Sequence, residues 1–477
     1  MLLKTTAKIL ELNFKSMASN IDDVIIEKII NSIENKQNVL IHGFGGVGKT
    51  YMLMKLSKIL AMSYKVFNTA TTGIAAVNLT IPGEMIGMTL HKWAGIGRGD
   101  QPLQKMTAEI LNNNGKLKRW MNTRILFIDE ISMLGAALFD TLNVIGQTVR
   151  QNFDLPFGGI QLIMIGDFLQ LPPVKDKFIF ESETWKTMTS TEVGNPGGLN
   201  IFFLEEPKRF TDLFYHERLI RIREGTPSSE DMAFLEQRRL KYLQYLKKLP
   251  KMDPLAIKPT VLFSKKIDVE AHNNNELDKL PSQSKEFVAE DHFTPYNNRA
   301  RYDDYIKPLD DAIPKAILLK VGAQVMLRAN LDVPNGLANG SRGVVTEIHE
   351  DSVNVKWMNT RVTIVGDYVW EREDKEGKAT RKQIPLTLAW SNTIHKSQGL
   401  TLDYAIVDLG PSVFADGQAY VALSRLRSGE SLLISDIYSK AIKANKKAID
   451  EIEALKKIAT YYEKIELVIK TKIVFID

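Results

Sequence analysis

The run Gly43-Phe44-Gly45-Gly46-Val47-Gly48-Lys49-Thr50 has the residue types and spacing of a phosphate cradle. Gly43, Gly45, Gly46 and Gly48 allow positive φ and close backbone approach, so that N–H groups along the loop, Val47 included, turn toward phosphate oxygens. Lys49 would place its ammonium on the β- and γ-phosphates of ATP, and the Thr50 hydroxyl would ligate Mg²⁺. Asp129-Glu130, about eighty residues on, offers a pair of carboxylates at the end of an apolar run. Asp129 would hold the ion through its water shell, and Glu130 would orient and deprotonate an attacking water. Gln170, held on a loop stiffened by Pro172 and Pro173, can bond both a γ-phosphate and that water. Taken alone, the acidic pair reads as solvated surface and the glutamine as part of a proline turn.

These residues need elements that deliver them to one place. Val39–His42 reads as a strand entering the glycine loop, and Tyr51–Leu60 as a helix whose N-terminus faces the phosphates. "YKVFNTA", "RILFID" and "IQLIMIGD" are further short buried-strand candidates, each leaving into a polar loop. Alternating strands and helices of this kind predict an α/β fold with a parallel sheet and functional loops at its carboxyl edge. A charged helix is expected over Ser229–Leu249 and another strand at Pro259–Ser264. From about 285 to 382 the texture turns β-rich, with Asn-Gly, Gly-Ala and Asn-Thr turns, which predicts a small antiparallel barrel or sheet inserted into a second α/β domain. After Ser439 a charged helix is expected, with Ile442, Ile449, Ile452, Leu455, Tyr462 and Ile465 at helical spacing, packed on the body or docking a partner.

Composition narrows the classes. The 477 residues leave room for about three domains. Hydrophobic content of 44% and charged content of 25% suit a globular chain. The net charge of 62 − 57 = +5, with a pI near 8.9, is compatible with a polyanion partner. The absence of cysteine excludes disulfides, thiolate metal sites and a cysteine nucleophile, and fits an intracellular location whose compartment the sequence leaves open. Apolar runs fall short of the ~18 residues of a membrane span. Lysines interrupt the apolar pieces of the first twenty residues, which reads as a surface helix and not a secretory signal.

The ordered set "GFGGVGKT", "TATTGIAA", "TLHKWAGIG", "FIDEISML" and "GDFLQLPPV" resembles the motifs of superfamily-one helicases, specifically the Pif-type (RecD-like) DNA helicases. "LKVGAQVMLRANLD" and "GLANGSRGVV" resemble that family's inserted barrel. "LAWSNTIHKSQGLTLD" and "QAYVALSRLRS" resemble its last two core motifs. The resemblance runs from about Val39 to Ser435.

It implies two RecA-like domains with ATP between them. The first would span 1–204 and the second 205–284 and 383–438, with the insertion at 285–382 and a C-terminal helix at 439–477. Beside Lys49, Thr50, Asp129, Glu130 and Gln170, the second domain would contribute Arg209 and Arg425 to the γ-phosphate, with Gln398 and Gly399 lining the seam. Single-stranded DNA would meet Thr71, Thr72, Gly73, His91 and Trp93 on the first domain and His395 and Lys396 on the second. For Trp93 a buried structural ring is the alternative. The segment 97–115 is the expected place of a strand-separating wedge. The implied function is ATP-dependent unwinding of tailed duplex DNA by a monomeric motor moving 5′ to 3′. A translocase that strips proteins without unwinding, and a nucleic-acid-binding scaffold with a dead ATPase, are the competing readings. Two departures stand out: "SNIDDVIIEKIIN" lacks the glutamine with which relatives read adenine, and Arg209 is followed by Phe210 where a glutamine is usual.

Overall fold

The computed structural model describes residues 21–81, 85–192, 194–251, 253, 256–298, 300–332, 335–373 and 377–459. They divide into two compact units. The first holds the described residues up to Arg209 together with those from Lys446 onward, and the second runs from Phe210 to Asn445.

The first unit is built on a parallel sheet of β1 (Asn38–Gly43), β2 (Val66–Ala70), β3 (Gly87–Thr89), β4 (Ile125–Asp129), β5 (Gln161–Gly166) and β6 (Leu199–Leu204). Their order is β3-β2-β4-β5-β1-β6. Strands β1, β4 and β5 lie inside the sheet and are buried along their whole length, which is why they read as unbroken apolar runs. Register sets the functional edge: His42 lies opposite Gly166, and Asp129 lies opposite Ile165 and Ala70. The loops leaving these strands therefore emerge side by side. Helix Ile21–Glu34 covers the sheet with Ile26, Ile29 and Ile33, the three- and four-residue spacing of one helical face.

The helix at 446–459 returns to this first unit. Ala448, Ile452 and Leu455 are buried, Glu451 accepts a 2.8 Å hydrogen bond from Trp185 Nε1, and Lys447 pairs with Glu181. The helix starts at Lys446 and not at the expected Ser439, so Ile442 lies before it, while Ile452 and Leu455 of the apolar spacing are on its packed face; Tyr462 and Ile465 lie outside the described residues, as do the first twenty. The first unit also extends past the expected break at residue 204, because the backbone N–H groups of Lys208 and Arg209 both donate to Gly46 O at 2.9 Å.

The second unit has a four-stranded parallel sheet ordered Ser391–Thr393, Thr260–Phe263, Ala405–Leu409, Leu432–Ile437. Helix Ser229–Lys248 starts with a capping box in which Ser228 and Asp231 satisfy each other's backbone N–H groups. The β-rich insertion is more than one sheet. A five-stranded antiparallel sheet runs Val362–Val365, Val353–Trp357, Arg342–Ile348, Gln324–Leu327, Leu386–Leu388, around a core of Val325, Leu327, Val345, Val353 and Trp357. Its last strand carries the insertion to residue 388, past the expected end at 382. A separate three-stranded sheet packs on helix Tyr302–Ala312, pinned by Arg381, which is fully buried and bonds both oxygens of Asp291 at 2.7 and 2.6 Å.

Candidate active site

Strand β1 ends at Gly43, where any Cβ would sit 2.6 Å from Leu204 O on β6, so only glycine lets the chain turn there. The loop continues through Gly46 and Gly48 at φ 93° and 85°, in the left-handed region that glycine occupies without strain. Val47 is buried and anchors the loop in the core. Helix Lys49–Ala61 then begins directly at the lysine.

Lys49 Nζ donates to Gly43 O at 2.8 Å and Phe44 O at 3.0 Å, two carbonyls of its own loop. Burial pushes its ammonium pKa down, and the carboxylates of Asp167, Glu130 and Asp129 draw it back up. Thr50 Oγ1 lies 3.5 Å from Asp129 Oδ2. Burial, then the neighbouring Glu130 charge, push the Asp129 carboxyl up to about 7. Such a crowd of buried carboxylates favours a cation. Among the described residues no group of three or more His, Cys, Asp or Glu side chains is arranged to hold a metal. The Thr50 and Asp129 oxygens fit Mg²⁺, which retains several waters and takes few protein ligands.

Glu130 sits at φ 56°, ψ 47°, an uncommon conformation for a residue with a Cβ. Its backbone N–H donates to Asp129 Oδ1 at 2.9 Å. Thr71 fixes the same turn from the adjacent strand: its hydroxyl donates to Glu130 O at 2.8 Å and its N–H to Asp129 O at 3.2 Å. Gln170 is buried, and its Oε1 has no hydrogen-bond partner. An orphaned buried amide oxygen is costly, which suits a group that waits for a ligand or its water.

Two residues that the sequence reading passed over belong here. Asp167, fully buried at the end of β5, is the strongest of the charges raising the Lys49 pKa, and its Oδ1 accepts from Leu169 N–H. His42 on β1 accepts from Phe168 N–H at 3.3 Å and lies 3.8 Å from Asp167 Oδ1. The signal for Asp167 was an aspartate at the carboxyl end of a buried strand, the same pattern that marked Asp129.

Arg209 belongs to the first unit and not, as expected, to the second. Its backbone is hydrogen-bonded to the phosphate loop, and its charge is close enough to Lys49 to depress that pKa. Trp93 offers no stacking surface. It is fully buried, with its ring 4.5 Å from that of Trp120 and its Nε1 directed to Thr123 Oγ1 at 3.4 Å. His91, two residues earlier, is half-buried, and burial lowers its pKa. Thr72 caps helix Gly73–Asn78 by accepting from Ala75 N–H, and Gly73 faces open space. The segment 97–115 carries helix Leu103–Leu111, with Met106 and Ile110 buried.

In the second unit, His395 stacks on the exposed Phe414 ring at 5.9 Å, with planes 16° apart. Lys396 is exposed, and partial loss of solvent around its ammonium, with the nearby charges of Arg328 and Lys266, lowers its pKa. Gln398 is buried, and Gly399 turns the chain at φ 80°. Arg425 is buried within its own unit: Nε donates to Val421 O at 2.8 Å, Nη2 to Ser424 Oγ at 2.8 Å and Nη1 to Leu400 O at 3.4 Å.

The family described as PIF1-like helicase matches residues 17–206, and the 2B domain of DNA helicase Pif1 matches residues 311–348. The chain is 36% identical over 441 residues to the ATP-dependent DNA helicase PIF1 of Danio rerio, covering 90% of this chain and 63% of that protein. It therefore spans under two thirds of the length of that relative. Protein 030L of Invertebrate iridescent virus 6 is 31% identical, with 90% of this chain and 93% of that one covered. Among solved structures, Pif1 helicase from Candida albicans superposes with a TM-score of 0.75 at 29% identity, covering 92% and 99% of the two chains. Pif1 helicase from Bacteroides in complex with ADP-AlF3 and ssDNA gives 0.62 at 28% identity, covering 91% and 96%. With the phosphate loop, the Asp129-Glu130 turn and two RecA-like parallel sheets in place, the chain belongs to the PIF1-like helicase family.

Proposed function

We propose that the protein is an ATP-dependent DNA helicase that moves along single-stranded DNA, 5′ to 3′, and unwinds tailed duplexes. The observation that carries the reading is the assembly at one sheet edge of the Lys49 cradle, the Asp129-Glu130 turn and the orphaned Gln170 amide. Lys49 leaves its loop carbonyls for the β- and γ-phosphates. Thr50 and Asp129 would hold Mg²⁺, which would supply charge neutralisation on the phosphate oxygens. Glu130 accepts a proton from the attacking water, and Gln170 aligns that water with the γ-phosphate. Arg209, on the lip of the loop, and Arg425, from the second unit, are the proposed guanidinium contacts to the transferring phosphoryl.

Thr72, Gly73, His91, His395 and Lys396 are the proposed DNA contacts. Thr71 belongs with them by motif, but its hydrogen bonds favour a role in the Glu130 turn. The packed helix at Leu103–Leu111 supports a firm wedge, and with it unwinding over translocation alone. The solved Bacteroides relative binds ADP-AlF3 and single-stranded DNA, which supports the same ligands here.

The test is steady-state ATP hydrolysis with and without single-stranded DNA, beside a Lys49→Ala control, followed by unwinding of duplexes tailed at either end. Strong DNA stimulation, lost in the control, with separation of the 5′-tailed duplex is expected. A rate indifferent to DNA would overturn the motor reading, and stimulation without strand separation would leave a translocase.

A further inference from the structure

The guanidinium of Arg342 joins three segments of the second unit. Arg342 opens the insertion strand Arg342–Ile348, and only 5% of its side chain is exposed. Nη1 donates to Thr260 Oγ1 at 2.8 Å, at the start of a core parallel strand. Nη2 reaches Met358 Sδ at 3.2 Å, in the insertion. Its carboxylate neighbour is Asp403, at 3.7 Å and itself 59% exposed, on the segment that follows Gln398 and Gly399. A thioether is a weak acceptor, so Asp403 is the carboxylate that faces this buried cation, across a stretched and partly solvated gap. Burial accordingly pushes the guanidinium pKa down, and Asp403 only partly restores it.

The segment from Ser397 to Asp403 is gripped from both sides. On the insertion side, Leu400 faces Gly340 at ordinary contact spacing, a Cβ there lying 3.4 Å from Leu400 Cδ2, and Arg342 faces Asp403. On the other, Leu402 N–H donates to Arg425 O at 2.9 Å, and Leu400 O is a seat for the Arg425 guanidinium. Beneath it a small cavity is lined by Leu262, Met326, Arg342, Ser397, Leu400 and Leu402. Arg342 shares that lining with the polar side chains of Thr260, Ser391, Asn392 and Ser397, so the guanidinium, the core strands and the start of this segment meet at one place.

We propose that Arg342 is a positioning residue: it ties the loop that carries Gln398, Gly399 and the Arg425 seat to the β-rich insertion, so that a displacement of the insertion reaches Arg425. The consequence for turnover rests on the motor reading above; the positioning itself does not. Lysine keeps the charge but has no planar fork to hold Thr260 and Asp403 together. Methionine fills much of the volume and removes every polar contact.

The test is amide hydrogen exchange on the full chain for wild type, R342K and R342M, with ATPase measured on the same preparations at saturating single-stranded DNA. Faster exchange confined to 397–403 and the backbone around Arg425 is expected in R342M, with an intermediate response in R342K. The DNA-stimulated kcat should fall roughly tenfold in R342M, with the ATP KM changed less than about twofold. Unchanged exchange in 397–403, or a uniform rise across the second unit that follows a lowered Tm, would overturn the proposal and leave Arg342 a packing residue. If wild type fails to respond to DNA, the motor reading falls while the exchange pattern still decides the role of Arg342.

Discussion

The Thr71 hydroxyl donates to the carbonyl oxygen of Glu130 across 2.8 Å, joining the end of one strand to the turn after its neighbour. Glu130 is held at φ 56°, and the Thr71 contacts help to offset that strain. Replacing Thr71 by alanine removes the hydroxyl and loosens the carboxylate expected to act on water. The loss of one such bond corresponds to a fall in kcat of about tenfold. Thr71→Ser should restore most of it. Kinetics of the two variants at saturating DNA decide the matter; weakened DNA binding with kcat intact would return Thr71 to a phosphate contact.

Gln170 makes an opposite demand on stability and activity. Its buried Oε1 has no hydrogen-bond partner, so an apolar side chain of similar size relieves a desolvation cost. Gln170→Leu is expected to hold or raise the Tm while lowering kcat roughly a hundredfold. Thermal unfolding beside steady-state turnover checks both halves. A clear fall in Tm would mean that the amide is structural.

Strands and loops of the first unit were legible because burial on both faces writes apolar runs such as "RILFID", and because glycine, lysine and acidic residues stand at the strand ends. What could not be read was which atoms those residues already satisfy. Thr71 carries a hydroxyl whether it meets a phosphate or Glu130 O, and only the register of the neighbouring strands decides. Arg209 lies after the last strand of the first unit, where sequence order suggests the second; two backbone bonds to Gly46 O place it with the first. The return of the helix at 446–459 to the first unit was equally invisible, since its apolar spacing names a packed face but not the surface that covers it.

Trp93 shows the same limit in a form that can be measured. An indole two residues after a histidine in a DNA-contact motif invites a stacking role, yet this ring is fully buried against Trp120. Trp93→Ala should destabilise the protein by about 3–5 kcal/mol. Trp93→Phe should cost less and leave the affinity for an oligo-dT strand within about twofold of wild type. Chemical denaturation and fluorescence anisotropy give the two quantities. A stable Trp93→Phe protein with sharply weaker DNA binding would restore the indole to the interface.

Glu451 gives the helix at 446–459 a pH signature. Its carboxylate accepts from Trp185 Nε1 at 2.8 Å, and burial raises its pKa despite that bond. A carboxyl whose folded pKa lies above its unfolded value favours the folded state when protonated. Stability from this group is therefore greatest below the unfolded pKa, near 4, and is lost as pH rises through the folded value. Glu451→Gln keeps an acceptor for Trp185 and removes the charge, so the variant should gain roughly 1–3 °C in Tm at pH 8 and nothing near pH 4. Trp185→Phe makes the contrasting case: it removes the donor, raises the cost of the charge further and should steepen the loss toward pH 8. Melting curves of the three proteins from pH 4 to 8 test the assignment. Parallel pH profiles for wild type and Glu451→Gln would show that the carboxylate is solvated and that the helix is held by other contacts, Ala448, Ile452, Leu455 and the Lys447–Glu181 pair among them.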